Sequence, residues 1–165
     1  MKIYLMRHGI ARELDNADSA IDSQRPLTAN GRNNIGSIAR ALKKIDVKPN
    51  VILSSPYVRA QQTAAILAKE FGLQQHLILS DLLVPDGNAE AILRAIVENY
   101  IVDELLIVSH LPCLGSLASY LASGDLDLAI NLRKGGVCCL LAGDLRIEPY
   151  AAIEWLLTPK ILLKV

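Results

Sequence analysis

Arg7 and His8 stand side by side where the apolar run "KIYLM" (2–6) ends, with Gly9 directly behind them. Two further basic positions fall at comparable points. Arg59 follows the run "VILS" (51–54) within "SPYVRAQQT", and His110 ends the run "LLIVS" (105–109). A planar guanidinium matches phosphate oxygens bidentately, and the free N–H groups of a helix N-terminus add partial positive charge. Imidazole contributes a nucleophile or a proton carrier near neutral pH. Alone, a histidine at a strand end is commonly a hydrogen-bonded structural residue, and a lone arginine a surface ion-pair partner. Two arginines and two histidines at the ends of three runs instead call for an anion. Arg7 and His8 would face opposite ways if the strand ran on, because side chains alternate. Gly9 permits a turn that lets both face one pocket.

Elements of strand and helix type must position these groups. Strand-length apolar runs, mostly continuous as in strands covered on both faces, fall at 2–6, 51–54, 77–79, 105–109, 137–142 and 152–157. Helical stripes lie between them: Ile35, Ile38, Ala39 and Leu42; Ala60, Ala64, Leu67 and Phe71; Ile92 and Ile96; Leu114, Leu117, Ala118 and Leu121. Alternation of this kind predicts an α/β three-layer sandwich over residues 1–165, with a central, mostly parallel mixed sheet flanked by helices. The last two strands, being consecutive, suit a hairpin-like pair. Ser55 reads as a helix N-cap, Pro56 as the first helical residue with Arg59 about one turn in, and Pro112 as the start of the next helix. In open α/β sheets ligands bind beyond the carboxyl ends of the strands, which is where the four basic residues stand. The polar stretch 11–27, "ARELDNADSAIDSQRPL", lacks periodicity and reads as a functional or disordered loop.

Composition narrows the partners. The chain has 165 residues, 52% hydrophobic and 21% charged, enough to bury one real core. Lys plus Arg equals Asp plus Glu at 17 each, so no global field draws nucleic acid or an anionic membrane. No run approaches the roughly 18 residues of a membrane helix, and no leader pattern opens the chain, so a cytoplasmic location is expected. Cys113, Cys138 and Cys139 read as small buried hydrophobes. His8, His76 and His110 lack metal-ligand spacing, so neither metal nor cofactor is expected; His76 reads as a strand-edge residue. A G-x-S-x-G elbow is missing, and "KGGV" (134–137) reads as a turn into a strand rather than a nucleotide loop.

"LMRHGIA" resembles the Arg-His-Gly signature of the histidine phosphatase superfamily, the group that includes the phosphoglycerate mutases. The likeness continues in the same order through "RPLTANGR" (25–32), "SSPYVRAQQTA" (54–64) and "VSHLP" (108–112). The short length, "RPLT" after a brief polar loop, and the closing "WLLTP" are similar to the small bacterial phosphohistidine phosphatases of SixA type. The resemblance implies a phosphoglycerate mutase-like fold and a phosphoryl transfer in two steps. His8 would attack phosphorus and become phosphohistidine, which water hydrolyses. Arg7, Arg59 and His110 would bind the phosphoryl oxygens and stabilise the transition state. One ring nitrogen of His8 must be unprotonated, whereas His110 would serve best protonated, a form favoured by an anion beside it.

The larger family members supply a glutamate as proton donor in a loop after the second arginine's helix. That region here offers Asp81, Asp86 and Glu90, while Asp22 lines up with the short phosphatases and ranks first. An imidazole leaving group departs more readily than an alkoxide and tolerates a weaker acid, which points to a phosphoramidate substrate. Arg25 would meet the outer side of the phosphate, or else pair with Asp22. The expected partner is a phosphohistidine-bearing protein, such as a phosphotransfer domain or carrier of a signalling relay, with the enzyme a monomer. A small-molecule phosphomonoesterase and a catalytically silent phosphate-binding module are the alternatives.

Overall fold

The computed structural model describes residues 1–13, 21–147 and 150–165. In chain order they form β1 (Lys2–Arg7), α1 (Ala29–Lys44), β2 (Val51–Ser54), α2 (Val58–Phe71), β3 (Leu77–Leu79), α3 (Ala89–Asn99), β4 (Glu104–Ser109), α4 (Cys113–Ser123), β5 (Val137–Ala142), β6 (Ala151–Leu157) and α5 (Pro159–Leu162). Six strands lie in the order β3-β2-β4-β1-β5-β6. The first four pair in parallel, while β5 runs antiparallel to β1 and β6 antiparallel to β5. The expected mixed α/β sheet and its closing antiparallel pair are both present.

Alternating side chains of the buried strands feed two apolar layers. Ile3 and Leu5 of β1 pack with Leu105 and Ile107 of β4 under α3 and α4. Tyr4 and Met6 pack with Leu106 and Val108 under α1 and α2, joined by Leu162 of α5. Each helical stripe turns inward: Ile35, Ile38, Ala39 and Leu42 on α1, Ala60, Ala64 and Leu67 on α2, and Leu114, Leu117, Ala118 and Leu121 on α4 are buried. A strand covered on both faces needs apolar residues at every position, which accounts for the continuous runs. All three cysteines are buried and free.

Two local expectations are corrected. Helix α2 begins at Val58, not at Pro56, and its N-cap is Tyr57, with no capping side-chain bond. Ser55 therefore does not cap it in the usual way; its Oγ accepts a long bond of 3.3 Å from the Tyr57 N–H and has another partner, described below. Pro112 immediately precedes α4 rather than opening it. His76 lies in an exposed turn just ahead of β3. The ends of the polar loop are pinned by a bridge between Ala11 and Leu27; its residues 14–20 lie outside the described residues. Among the described residues, no helix is long and apolar enough to cross a membrane.

Candidate catalytic site

Strand register brings the basic residues together. Arg7 pairs with Ser109 across β1 and β4, and Ser54 with Val108 across β2 and β4. The ladder runs one residue further: the His8 N–H donates to Ser109 O and the Ser55 N–H to Val108 O, each at 3.0 Å. His8, His110 and Ser55 thus end three neighbouring parallel strands, and the two imidazole centroids lie 5.0 Å apart. On the other side, the "KGGV" turn closes over the end of β1. Gly135, at φ 82°, a conformation costly for any side-chain-bearing residue, donates its N–H to the carbonyls of Arg7 (2.9 Å) and His8 (3.0 Å).

Gly9 answers a steric demand from the opposite layer. A Cβ there would meet Ile35 Cγ1 at 2.8 Å and Leu27 Cδ2 at 3.3 Å, so only glycine lets the chain run this close to α1. Its peptide groups are both used. The Gly9 N–H donates to Thr63 Oγ1 at 3.1 Å, and the Gly9 carbonyl accepts from His8 Nδ1 at 2.8 Å. That bond fixes the proton of neutral His8 on Nδ1 and leaves Nε2 with its lone pair, to which Arg59 Nε donates at 3.2 Å.

Arg59, buried on the first turn of α2, has a second face turned to the loop. Its two terminal nitrogens donate to Asp22 O at 2.7 Å and Asp22 Oδ2 at 3.0 Å. Arg25 closes on the same carboxylate from outside, with Nε 2.8 Å and Nη2 2.7 Å from Oδ1. Arg7 anchors to the Leu132 carbonyl through Nη1 at 2.9 Å. The ring of Tyr57 lies 5.1 Å below the Arg59 guanidinium carbon and 5.1 Å from the His110 centroid, edge to face. His110 Nε2 sits 2.8 Å from Ser55 Oγ. Arg7 Nε and His110 Nδ1 are buried without a hydrogen-bond partner among the described residues. Buried polar atoms are rarely left so, and two in one cationic pocket suit the oxygens of an anion.

Electrostatics follow from burial among cations. His8 is pushed down to about 3, first by loss of solvent and then by Arg59, Arg7 and Lys134, with the Gly9 carbonyl opposing. It is therefore neutral at physiological pH, as a nucleophile requires. His110 is also pushed down to about 3, by burial first, then by His8, Arg59 and Arg7, with Asp22 opposing. The expected imidazolium is thus disfavoured by the protein's own charges, although an anion would pull the other way. Burial raises the Asp22 carboxyl, but the hydrogen bonds and charges of Arg59 and Arg25 outweigh it, and the net direction is down.

The structure therefore gathers Arg7, His8, Arg59, His110, Asp22 and Arg25. Asp22, expected as proton donor, is ion-paired with Arg59 and Arg25, which also suits it to holding the two arginines. Arg25 takes the ion-pair alternative. Glu90 pairs with Arg94 along the exposed side of α3; Asp81 and Asp86 are exposed, and neither bonds to the basic residues. Sequence reasoning passed over two contributors and gave a third, Ser55, another role. Thr63 accepts from the Gly9 N–H while its hydroxyl donates to the Arg59 carbonyl at 2.7 Å; its spacing of one turn from Arg59 was a visible signal. The Leu132 carbonyl and the Ser55 hydroxyl join the site only through long-range pairing, for which local sequence offers none.

Comparison with known proteins identifies the family. The model of the histidine phosphatase superfamily (branch 1) matches residues 3–83. Phosphohistidine phosphatase SixA of Escherichia coli (strain K12) is 35% identical over 128 residues, 76% of each chain. An uncharacterized protein of Picosynechococcus sp. (strain ATCC 27264 / PCC 7002 / PR-6) is 39% identical over 99% of each. Among solved structures, the protein histidine phosphatase SixA complexed with tungstate aligns at a TM-score of 0.85 and 27% identity, covering 97% of this chain and 98% of that one. With the motifs in order and the fold shared end to end, the chain belongs to the histidine phosphatase superfamily and, within it, to the short SixA type.

Proposed function

We propose that this phosphatase removes the phosphoryl group from phosphohistidine on a protein, through a phosphorylated His8. One observation carries the reading: His8 Nε2 keeps its lone pair in a buried pocket of cations, because Nδ1–H is spent on Gly9. Nε2 attacks phosphorus, the P–N bond to the substrate imidazole breaks, and its electron pair stays on the departing ring nitrogen, which takes a proton from water. A second water then attacks the phosphoryl group on His8 and gives up a proton to the hydroxide left by the first. The P–Nε2 bond breaks, phosphate leaves, and the lone pair returns to Nε2.

Arg7 and Arg59 would hold the phosphoryl oxygens and balance their charge in both steps. The ionised Asp22 fits a substrate whose leaving group needs little acid help, because imidazole is a better leaving group than an alkoxide. Similarity to the E. coli phosphohistidine phosphatase supports the same substrate class. A phosphotransfer domain or carrier of a cytoplasmic signalling relay is the partner of that chemistry.

Incubation with a radiolabelled phosphohistidine protein tests the proposal. Phosphate release with an acid-labile label on the wild-type chain, both lost in His8→Ala, is expected. Turnover that survives His8→Ala would overturn it.

A further inference from the structure

We propose that Ser55 sets the tautomer of His110: its hydroxyl donates to Nε2, so the ring carries its proton on Nδ1 and meets the phosphoryl group as a neutral donor. Ser55 and His110 are 0% and 1% exposed, so a hydrogen-bonding group left unpaired there is costly. A backbone N–H can only donate, so the Tyr57 N–H at 3.3 Å uses an acceptor position of Ser55 Oγ. The Ser55 hydroxyl proton then needs an acceptor, and among the described residues the one within reach is His110 Nε2 at 2.8 Å.

The reverse tautomer would leave two buried groups unsatisfied, the Ser55 hydroxyl proton and the lone pair on Nδ1. With Ser55 donating, only the Nδ1–H is left over, and it is a donor facing a need for acceptors. A phosphoryl oxygen supplies one; in naming that oxygen the inference rests on the function proposed above. The arrangement also explains how two imidazoles can sit 5.0 Å apart beside Arg7 and Arg59. Neither ring adds a charge to a pocket whose cations already repel one another. Ser55 acts through His110 and is a positioning residue.

Long-range 1H–15N correlation on the full chain with 15N-labelled histidine, at neutral pH, reads the tautomer directly, with His8→Ala and His76→Ala assigning the rings. The expected spectrum shows His110 protonated at Nδ1 and bare at Nε2. In Ser55→Ala the His110 pattern becomes mixed, and affinity for inorganic phosphate falls about tenfold, the effect of one lost hydrogen bond. A wild-type His110 protonated at Nε2 or at both nitrogens overturns the inference, as does a folded Ser55→Ala protein whose His110 pattern is unchanged. Should that variant fail to fold, the wild-type spectrum decides alone. Turnover is assayed separately: a chain with the expected tautomer that releases no phosphate from phosphohistidine refutes the proposed function and leaves the role of Ser55 standing.

Discussion

Arg59 Nε donates to His8 Nε2 at 3.2 Å, so the atom that would attack phosphorus rests on the cation that would receive the phosphoryl oxygens. The same guanidinium reaches Asp22 through its two other nitrogens. One planar group thus aims the nucleophile and fixes the loop at once. An incoming phosphoryl group would exchange with His8 and Asp22 for the same donors.

Lysine cannot copy that fork, because a point-charge ammonium lacks the coplanar N–H set. Arg59→Lys is expected to lower kcat/KM for a phosphohistidine protein about 10²–10³-fold, the range seen when one preorganised oxyanion donor is removed. Steady-state phosphate release measures it; a loss below about threefold would mean that charge alone suffices.

Gly9→Ala places a methyl group 2.8 Å from Ile35 Cγ1. Overpacking of this kind costs about 1–3 kcal/mol, so the urea midpoint should fall with no change in slope. Activity should fall too, because the shift moves the carbonyl that holds His8 Nδ1.

Asp22→Asn tests whether that carboxylate is an acid or a clamp. As a clamp, its loss loosens Arg59 alike for every substrate. About tenfold lower kcat/KM is expected on both a phosphohistidine protein and an alkyl phosphomonoester, in keeping with one lost charge-assisted bond. A selective loss on the ester would assign Asp22 the proton.

His8 and His110 are both lowered from 6.5 to about 3 in the folded chain. Between those values the unfolded chain binds more protons, so folding loses stability as pH falls. Their contribution is whole above about pH 6.5 and drains away as pH drops toward about 3. Urea midpoints measured at about pH 7.5 and about pH 4.5 should differ accordingly, and His110→Asn should shrink the difference. A midpoint insensitive to pH across that window would contradict the neutral, buried state of the two rings.

Much of the fold was legible because burial on both faces writes itself as unbroken apolar runs. The run 137–142 became β5 with those bounds, and 105–109 became β4 with one residue added at its start. The stripe Leu114, Leu117, Ala118 and Leu121 became the buried side of α4. Ser55 was misread for a physical reason: capping rules are local, whereas its partner lies 55 residues away on another strand. The ionised state of Asp22 was equally hidden. It depends on two arginines closing from opposite sides, and only the Arg25 side is near in sequence.

β4 lies between β1 and β2 in the sheet, although it comes last of the three in the chain. Until it inserts, Arg7 and His8 on one side and Arg59 on the other have no common floor, and the Ser109 carbonyl that ties down the His8 peptide is missing. The basic pocket therefore works as a proof of completion: a chain that has not threaded its central strand holds the right residues and no reagent.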